Sequence, residues 1–433
     1  MGATPMPPDL ERHLAGMSEH KQDILRRSHD YLMPHRVATW LGAGVPLVIG
    51  RREGYRIWDV DGHELQDLHL NGGTFNFGHR NPELVAELVD AVRTLDVGNH
   101  HFPSEARALL AERLAELTPG DLQYSVLAPS GSEAIDMAIK SARRATGRRK
   151  VVSFERGYHG RSGLSGAAGN DDHARFFDSA FDDDFVRVPF SDADALADTL
   201  CDDDVALFMA EPLPATAGFP IPEPGFYAEA RRLCDEHGTL LLVDEVQTGL
   251  GRSGRLWAIE HFDAEPDMLV TGKGLGGGLY PIGVLVLSPD AAGWLHEDGW
   301  GYVSTFGGSE LGCRIALTAL EIATRPATTQ LVERNAARLR AGLDELAERH
   351  AHLVEIRQLG VIFALRFAGD HGALVMAAEL YRAGLWAMPA GFDRSVLQFK
   401  LGLLVDDAYC DEALEKLDGA LARVGGGPSG SAG

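Results

Sequence analysis

Of the six lysines in this 433-residue chain, Lys273 alone sits in a run of glycines, TGKGLGGG (271–278), directly after the apolar segment Met268–Val270. Glycines at such a place let the backbone approach a bound group closely. A lysine amine held among apolar walls gives up its proton more readily and can attack a carbonyl to form a Schiff base. A nucleotide-phosphate loop would need glycine at 267 and serine or threonine at 274, where the chain has Asp267 and Gly274. Asp244 follows a second apolar run, Leu240–Val243, so its carboxylate projects from a buried strand end and requires a partner. A pyridinium N–H suits it, because the anion keeps the ring protonated and electron-withdrawing. Read alone, Asp244-Glu245 also fits a magnesium-binding pair, but no matching phosphate loop accompanies it.

APSGSEA (128–134) opens a helical stretch, and Gly131 and Ser132 place backbone N–H groups and a hydroxyl at a helix N-terminus, which suits a phosphate. Tyr158, in GYHG, could stack on a planar ring. His159 and the pair His100-His101 read as structural or without assigned role. No H-E-x-x-H or C-x-x-C spacing occurs, so no metal is expected, and Cys201, Cys234, Cys313 and Cys410 read as thiols without a chemical task.

These residues need a scaffold that brings them to one edge. Short apolar runs at Gln123–Leu127, Val151–Phe154, Val205–Ala210, Leu240–Val243 and Met268–Val270 alternate with helical patterns, the mark of a mainly parallel α/β sheet. Ligands of such sheets bind at the carboxyl ends of the strands. APSGSEA, ERGYHGR (155–161), AEPLPATAG (210–218), VDEVQTGLGRSG (243–254), TGKGLGGG and STFGG (304–308) all read as lying there. Past residue 325 the pattern becomes a long amphipathic helix, a strand-like stretch and a final helix, a smaller α+β unit. Residues 54–68 alternate like a hairpin turning at Asp61-Gly62. The expected organisation is a loose arm (1–20), an N-terminal segment joining the small domain (21–70), a large domain (71–325), a C-terminal small domain (326–424) and a disordered tail (425–433). A net charge of −23 argues against a nucleic-acid partner. No apolar stretch reaches membrane-spanning length and the N-terminus has no signal core, which leads to an expected cytoplasmic location.

Taken together, G-Y-x-I-W-D-V-D-G, PSGSEAIDMAIKSAR, YHGR, LLLVDEVQTGLGRSG and the Lys273 loop followed by STFGG resemble the class III aminotransferases, most strongly over 54–325. That resemblance implies the type I pyridoxal-phosphate (PLP) fold, a large domain with a mainly parallel seven-stranded sheet plus a smaller α+β domain. Carried across by motif, Lys273 is similar to the Schiff-base lysine and proton shuttle, and Asp244 to the partner of the pyridine nitrogen. Gln247 matches the residue near the ring hydroxyl, Val246 and Tyr158 those on the two ring faces, and Gly131 and Ser132 the phosphate loop. Glu211 matches a strand-end glutamate of the family. Thr305 matches a threonine that reaches the cofactor phosphate of the other subunit, which implies a homodimer with active sites at the interface.

The departures concern substrate. Pro129 replaces the asparagine that usually opens the phosphate loop. Glutamate-using relatives pair a glutamate, here Thr216, with a C-terminal arginine that grips the donor carboxylate, here Gln398 in VLQFKLGLLV. Loss of both implies either a different carboxylate arrangement or a substrate without an α-carboxylate; Arg161 and Lys400 are the candidates to take over. The expected reaction is ping-pong amino transfer from an amine or amino acid to a carbonyl acceptor, on a secondary-metabolite substrate. Racemases and aminomutases of the family share the cofactor residues and stay open as alternatives, whereas a PLP-fold binding or regulatory protein would be expected to lack Lys273.

Overall fold

The computed structural model describes residues 6–98, 101–176 and 184–425. His100 and the tail beyond Gly425 lie outside them.

Residues 6–14 do not form a loose arm. Pro8–Glu11 and Arg12–Leu14 form short helical turns, and helices Glu19–Tyr31 and Pro34–Gly42 follow. Met6 and Leu14 pack on Leu25, Val37 and Leu41, burying apolar surface that a solvated arm would leave in water. The Pro-rich composition of 1–20 hides this, because proline at a first helical position costs nothing. Strands β1 (Ile49–Glu53), β2 (Arg56–Asp59) and β3 (Glu64–Asp67) form an antiparallel meander. The turn between β2 and β3 contains Asp61 and Gly62, the latter at φ 92°. Lys21 reaches into the meander and pairs with Asp59 at 3.0 Å, both side chains almost fully buried.

The central sheet comprises β4 (Tyr124–Ala128), β5 (Lys150–Phe154), β6 (Phe185–Val188), β7 (Val205–Ala210), β8 (Leu240–Asp244), β9 (Met268–Thr271) and β10 (Gly283–Leu287). Its order is β4-β10-β9-β8-β7-β5-β6. All strands run one way except β10, which is antiparallel to both neighbours. The sequence reading did not single out β6 and β10 as strands. Strand β7 is buried throughout, with Phe208 on one face and Leu207 and Met209 on the other, as expected of a sheet covered on both sides. Helix Gly131–Thr146 covers one face through Ala134, Ile135, Ala138, Ile139 and Ala142, a helical-period stripe of small and branched side chains.

Helices Glu310–Thr324 and Pro326–Arg349 lead to β11 (Leu353–Leu359) and β12 (Ile362–Phe367), an antiparallel hairpin turning at Gly360, φ 60°. Then come β13 (Leu385–Trp386), β14 (Met388–Pro389), β15 (Val396–Lys400) and the last helix, Asp407–Gly425. Strand β13 pairs in parallel with β3, so the N-terminal meander and the C-terminal part share one sheet. Alternation gives β12 and β15 two faces. Phe363, Leu365, Leu397 and Phe399 enter the core beneath the C-terminal helices, while Ile362, Ala364 and Val396 face Leu213, Ala215 and Phe219 in the loop after β7.

Removing one partner of a buried ion pair strands the other charge, at a cost of about 3–5 kcal/mol. Lys21→Ala should therefore lower the melting temperature and strip hydrogen-exchange protection from Glu19–Tyr31 and β2, leaving β7 and β8 protected. Unchanged exchange in the N-terminal helix would show that Lys21 does not hold it.

Candidate active site

Strands β5, β7, β8 and β9 are parallel, so the loops that leave them meet at one edge. They enclose a cavity of about 230 Å³ lined by Ser130, Gly131, Ser132, Tyr158, His159, Gly160, Glu211, Asp244, Val246, Gln247 and Lys273. Seven residues singled out from strand-end motifs thus share one cavity with Lys273, because a parallel sheet puts every carboxyl end on the same side. STFGG is not a strand end: it is a turn against the end of β4, where a Cβ on Gly307 would lie 2.5 Å from the Leu127 carbonyl oxygen.

Asp244 and Glu245 point opposite ways. Glu245 faces inward, accepting from Thr248 Oγ1 at 2.5 Å and from the Ile259 N–H at 2.8 Å, and burial pushes its carboxyl up to about 7. Asp244 faces the cavity, with its carboxylate bonded to the Val246 N–H at 3.1 Å and to His159 Nδ1 at 2.8 Å. His159, read from sequence as structural, is thus part of the site. Its signal was its place in YHGR, one residue after the expected ring-stacking tyrosine. Burial opposes a charge on this imidazole, but the bond to Asp244 and the nearby Asp244 and Glu211 carboxylates outweigh it and raise its pKa. Its Nε2 is buried without a partner among the described residues.

Glu211, at the end of β7, accepts from the Tyr158 N–H at 2.9 Å and the Ala215 N–H at 3.2 Å, and burial raises its carboxyl well above the ordinary range. The loop after β5 is thereby tied to Asp244 through His159 and to Glu211 through Tyr158. Gly160 closes that loop at φ 128°, where a Cβ would sit 2.3 Å from Ser132 Oγ. Helix Gly131–Thr146 opens at the cavity and is capped by Ser130, which accepts from the Glu133 N–H. The N–H groups of its first turn have no carbonyl of their own helix to bond.

Lys273 begins a short 3-10 turn at φ 44°, a conformation sparsely populated for a side-chain-bearing residue and held by its surroundings. Separation from bulk water lowers its pKa to about 8; Asp244 and Glu211 oppose that drop, and Arg252 adds to it. Behind it Leu70, Asn71, Gly72 and Gly73 all adopt positive φ, and a Cβ on Gly72 would lie 3.1 Å from Lys273 Cε. Arg252 clamps this turn, donating to the Gly73 carbonyl at 3.0 Å and the Gln247 carbonyl at 2.7 Å, so close that a Cβ on Gly73 would meet its Nη1 at 2.7 Å.

The other sequence candidates lie outside the cavity lining. Arg161 is exposed, its guanidinium 5.8 Å from the Tyr158 ring centre. Thr305 is exposed, in a turn flanked by the exposed Val303 and Phe306. Thr216 is half-buried, and its Oγ1 has no partner. Gln398 is buried on β15, opposite Ala364.

The donor set fits pyridoxal phosphate: a helix N-terminus for the phosphate, a buried carboxylate for a protonated ring nitrogen, and a lysine amine of lowered pKa for the aldehyde carbon. His159 Nε2, a buried polar atom on the cavity wall that lacks a partner, marks the place as built for a polar occupant.

Residues 41–421 match the sequence profile of the family described as Aminotransferase class-III. A protein of Archaeoglobus fulgidus named "Uncharacterized aminotransferase" is 42% identical over 401 residues, 93% of this chain and 94% of that one. The ornithine aminotransferase of Toxoplasma gondii, whose structure was described with partial PLP occupancy at the active site, superposes with a TM-score of 0.86 at 27% identity, over 96% of this chain and 98% of its own. N-acetylornithine aminotransferase of Stenotrophomonas maltophilia superposes with a TM-score of 0.75 at 29% identity, over 87% and 96%.

The Lys273 amine is protonated below about pH 8 and is a free nucleophile above it. The rate at which cofactor-free protein takes up pyridoxal phosphate should therefore climb from pH 6.5, reach half its limit near about 8 and level off above about 9. A stopped-flow series across that range that is flat, or breaks near pH 10, would place the amine in ordinary solvent.

Proposed function

This chain belongs to the class III aminotransferase family, and we propose that its amino transfer runs through Lys273 and Asp244 in the cavity at the strand ends. The enzyme is an aminotransferase of the type I fold and PLP-dependent, as its family is. Its substrates are an amino donor and a carbonyl acceptor. When bound, pyridoxal phosphate supplies an aldehyde that captures amines and a protonated ring that withdraws electrons from the neighbouring carbon.

In this reading the first turn of helix Gly131–Thr146, with the Ser132 hydroxyl, holds the phosphate. Asp244, aimed by its hydrogen bond to His159, would hold the proton on the ring nitrogen. Val246, Tyr158 and Gln247, which line the cavity, would confine the ring. Glu211 positions Tyr158 through the backbone. Lys273 Nζ would take and return the proton at the substrate's Cα. The order is ping-pong, the donor's carbonyl product leaving before the acceptor enters. We place Thr216, Gln398 and Arg161 on the substrate side, with Arg161 at the rim. Thr305, exposed among Val303, Phe306 and Trp300, supports a homodimer in which it reaches the partner's phosphate.

The observation that carries this reading is the convergence of Lys273 and the His159-held Asp244 on one cavity. Borohydride treatment of the loaded enzyme, followed by peptide mapping, should place the cofactor's mass on Lys273. Lys273→Ala should abolish transfer with the fold intact by circular dichroism. An adduct on any other lysine, or none, would sink the assignment.

Asp244→Asn should still bind pyridoxal phosphate but transfer amines at least about 100-fold more slowly, because a neutral amide stabilises the protonated ring only weakly. A spectrum and rate like those of the unaltered enzyme would remove Asp244 from the ring-nitrogen role.

A further inference from the structure

Two cations lie behind Lys273 with no carboxylate bonded to either among the described residues. Lys400, the last residue of β15, is fully buried. Its ammonium donates to Gln398 Oε1 at 3.1 Å and stands 4.8 Å from the centre of the Phe219 ring. A lysine has three N–H donors, so two remain available. Arg252 is also fully buried, and while its Nε and Nη1 bond to carbonyls, its Nη2 has no partner among the described residues. His69 joins them: its Nδ1 is buried and unpartnered, and burial, then Lys400 and Lys273, hold the imidazole neutral. The backbone links the two, since the Lys400 N–H donates to the Leu68 carbonyl at 2.6 Å.

A buried charge without a counter-charge is costly, and a fold that only needed to fill this space could have used apolar side chains. Burial, then the nearby Lys273 and Arg252 charges, push the Lys400 pKa well down, and the more distant Glu211 and Asp67 do not make up the difference. Such a wall is short of one anion. Strand alternation sets its direction: Val396, Gln398 and Lys400 share the face of β15 turned toward Phe219 and the loop after β7, away from the C-terminal core.

We infer that Lys400 and Arg252, with His69 as a neutral hydrogen-bonding group, form an anion-binding wall that takes the carboxylate of an amino-acid substrate, in place of the carboxylate-gripping arginine that Gln398 displaces. This rests on the amino-transfer reading and decides between its two substrate classes: the substrate is an acid, held by a different arrangement. Gln398 positions the Lys400 ammonium; it does not itself supply charge. Lys400 is thus a specificity-determining residue, and only amines carrying a carboxylate use it.

The test uses the holoenzyme and two readouts. In calorimetry, pentanoate should bind about 10-fold more tightly than its neutral isostere pentanamide, the size expected of one charged hydrogen bond over a neutral one. Lys400→Met should reduce that preference to within about 3-fold, and Lys400→Arg should retain most of it. In turnover, Lys400→Met should raise KM for 4-aminobutyrate and alanine while kcat/KM for butylamine and ethylamine stays within about 3-fold. Circular dichroism and the cofactor absorbance check that each variant folds and loads; if Lys400→Met does not, Arg252→Lys serves in its place, and it should weaken pentanoate more than pentanamide. Equal binding of pentanoate and pentanamide by the unaltered enzyme, or a preference that survives Lys400→Met, would overturn the proposal. An unaltered enzyme that transfers no amine yet binds pentanoate in a Lys400-dependent way would defeat the amino-transfer reading and leave the anion wall standing.

Discussion

The contact between His159 Nδ1 and the Asp244 carboxylate, 2.8 Å long and shielded from water, is what the rest of the site is arranged around. A carboxylate at the end of the central strand β8 pays a desolvation penalty that only charged or donor partners offset. The imidazole and the Val246 N–H supply that compensation, and in return the carboxylate raises the pKa of the imidazole against the opposing effect of its burial. Because His159 comes from the loop after β5, this electrostatic need fixes that loop over β8. The neighbouring Tyr158 N–H then falls within reach of Glu211 at the end of β7. Three loops from three strands become one wall, each held by a hydrogen bond to the Asp244 or Glu211 carboxyl group.

The opposite wall is built by backbone strain rather than by charge pairing. Lys273 and the turn Leu70–Gly73 both adopt positive φ, and Arg252 spans the gap between that turn and the Gln247 carbonyl. Unfavourable dihedrals persist only where the surroundings over-determine them. Here the surroundings include the Asp67 carboxylate, which accepts from the N–H groups of His69 and Leu70 and is itself held by His79. The N-terminal meander therefore reaches the reactive amine through β3. Strand β3 also pairs with β13, which brings the C-terminal sheet, and with it Lys400, to the same place.

Much of this was legible in one dimension. Runs of mainly apolar residues three to six long, each followed by glycine and polar groups, identified β4, β5, β7, β8 and β9 and the loops that carry the chemistry, because a strand buried on both faces has little choice of composition. Strand β10 escaped notice: GVLVL looks like its parallel neighbours, and its antiparallel direction is set by where the chain must return, not by its residues. The helical turns over 8–14 were masked by their prolines. STFGG looked like a sixth strand end since its glycines resemble the others, whereas they serve a close approach to the Leu127 carbonyl.

The sequence by itself determined the covalent chemistry: a lysine among glycines, an aspartate at a buried strand end and a helix N-terminus with serine and glycine are local patterns, and local patterns survive without a fold. Tertiary structure alone decided which charges meet. His159 and Asp244 are 85 residues apart, and nothing local distinguishes an imidazole that steadies a carboxylate from one that merely packs. The same holds for Lys400 and Arg252, two ordinary cations until β15 and the loop after β8 bury them together behind Lys273. Charge acts through space and grows as water is excluded, so its consequences are written in distances that sequence order does not contain.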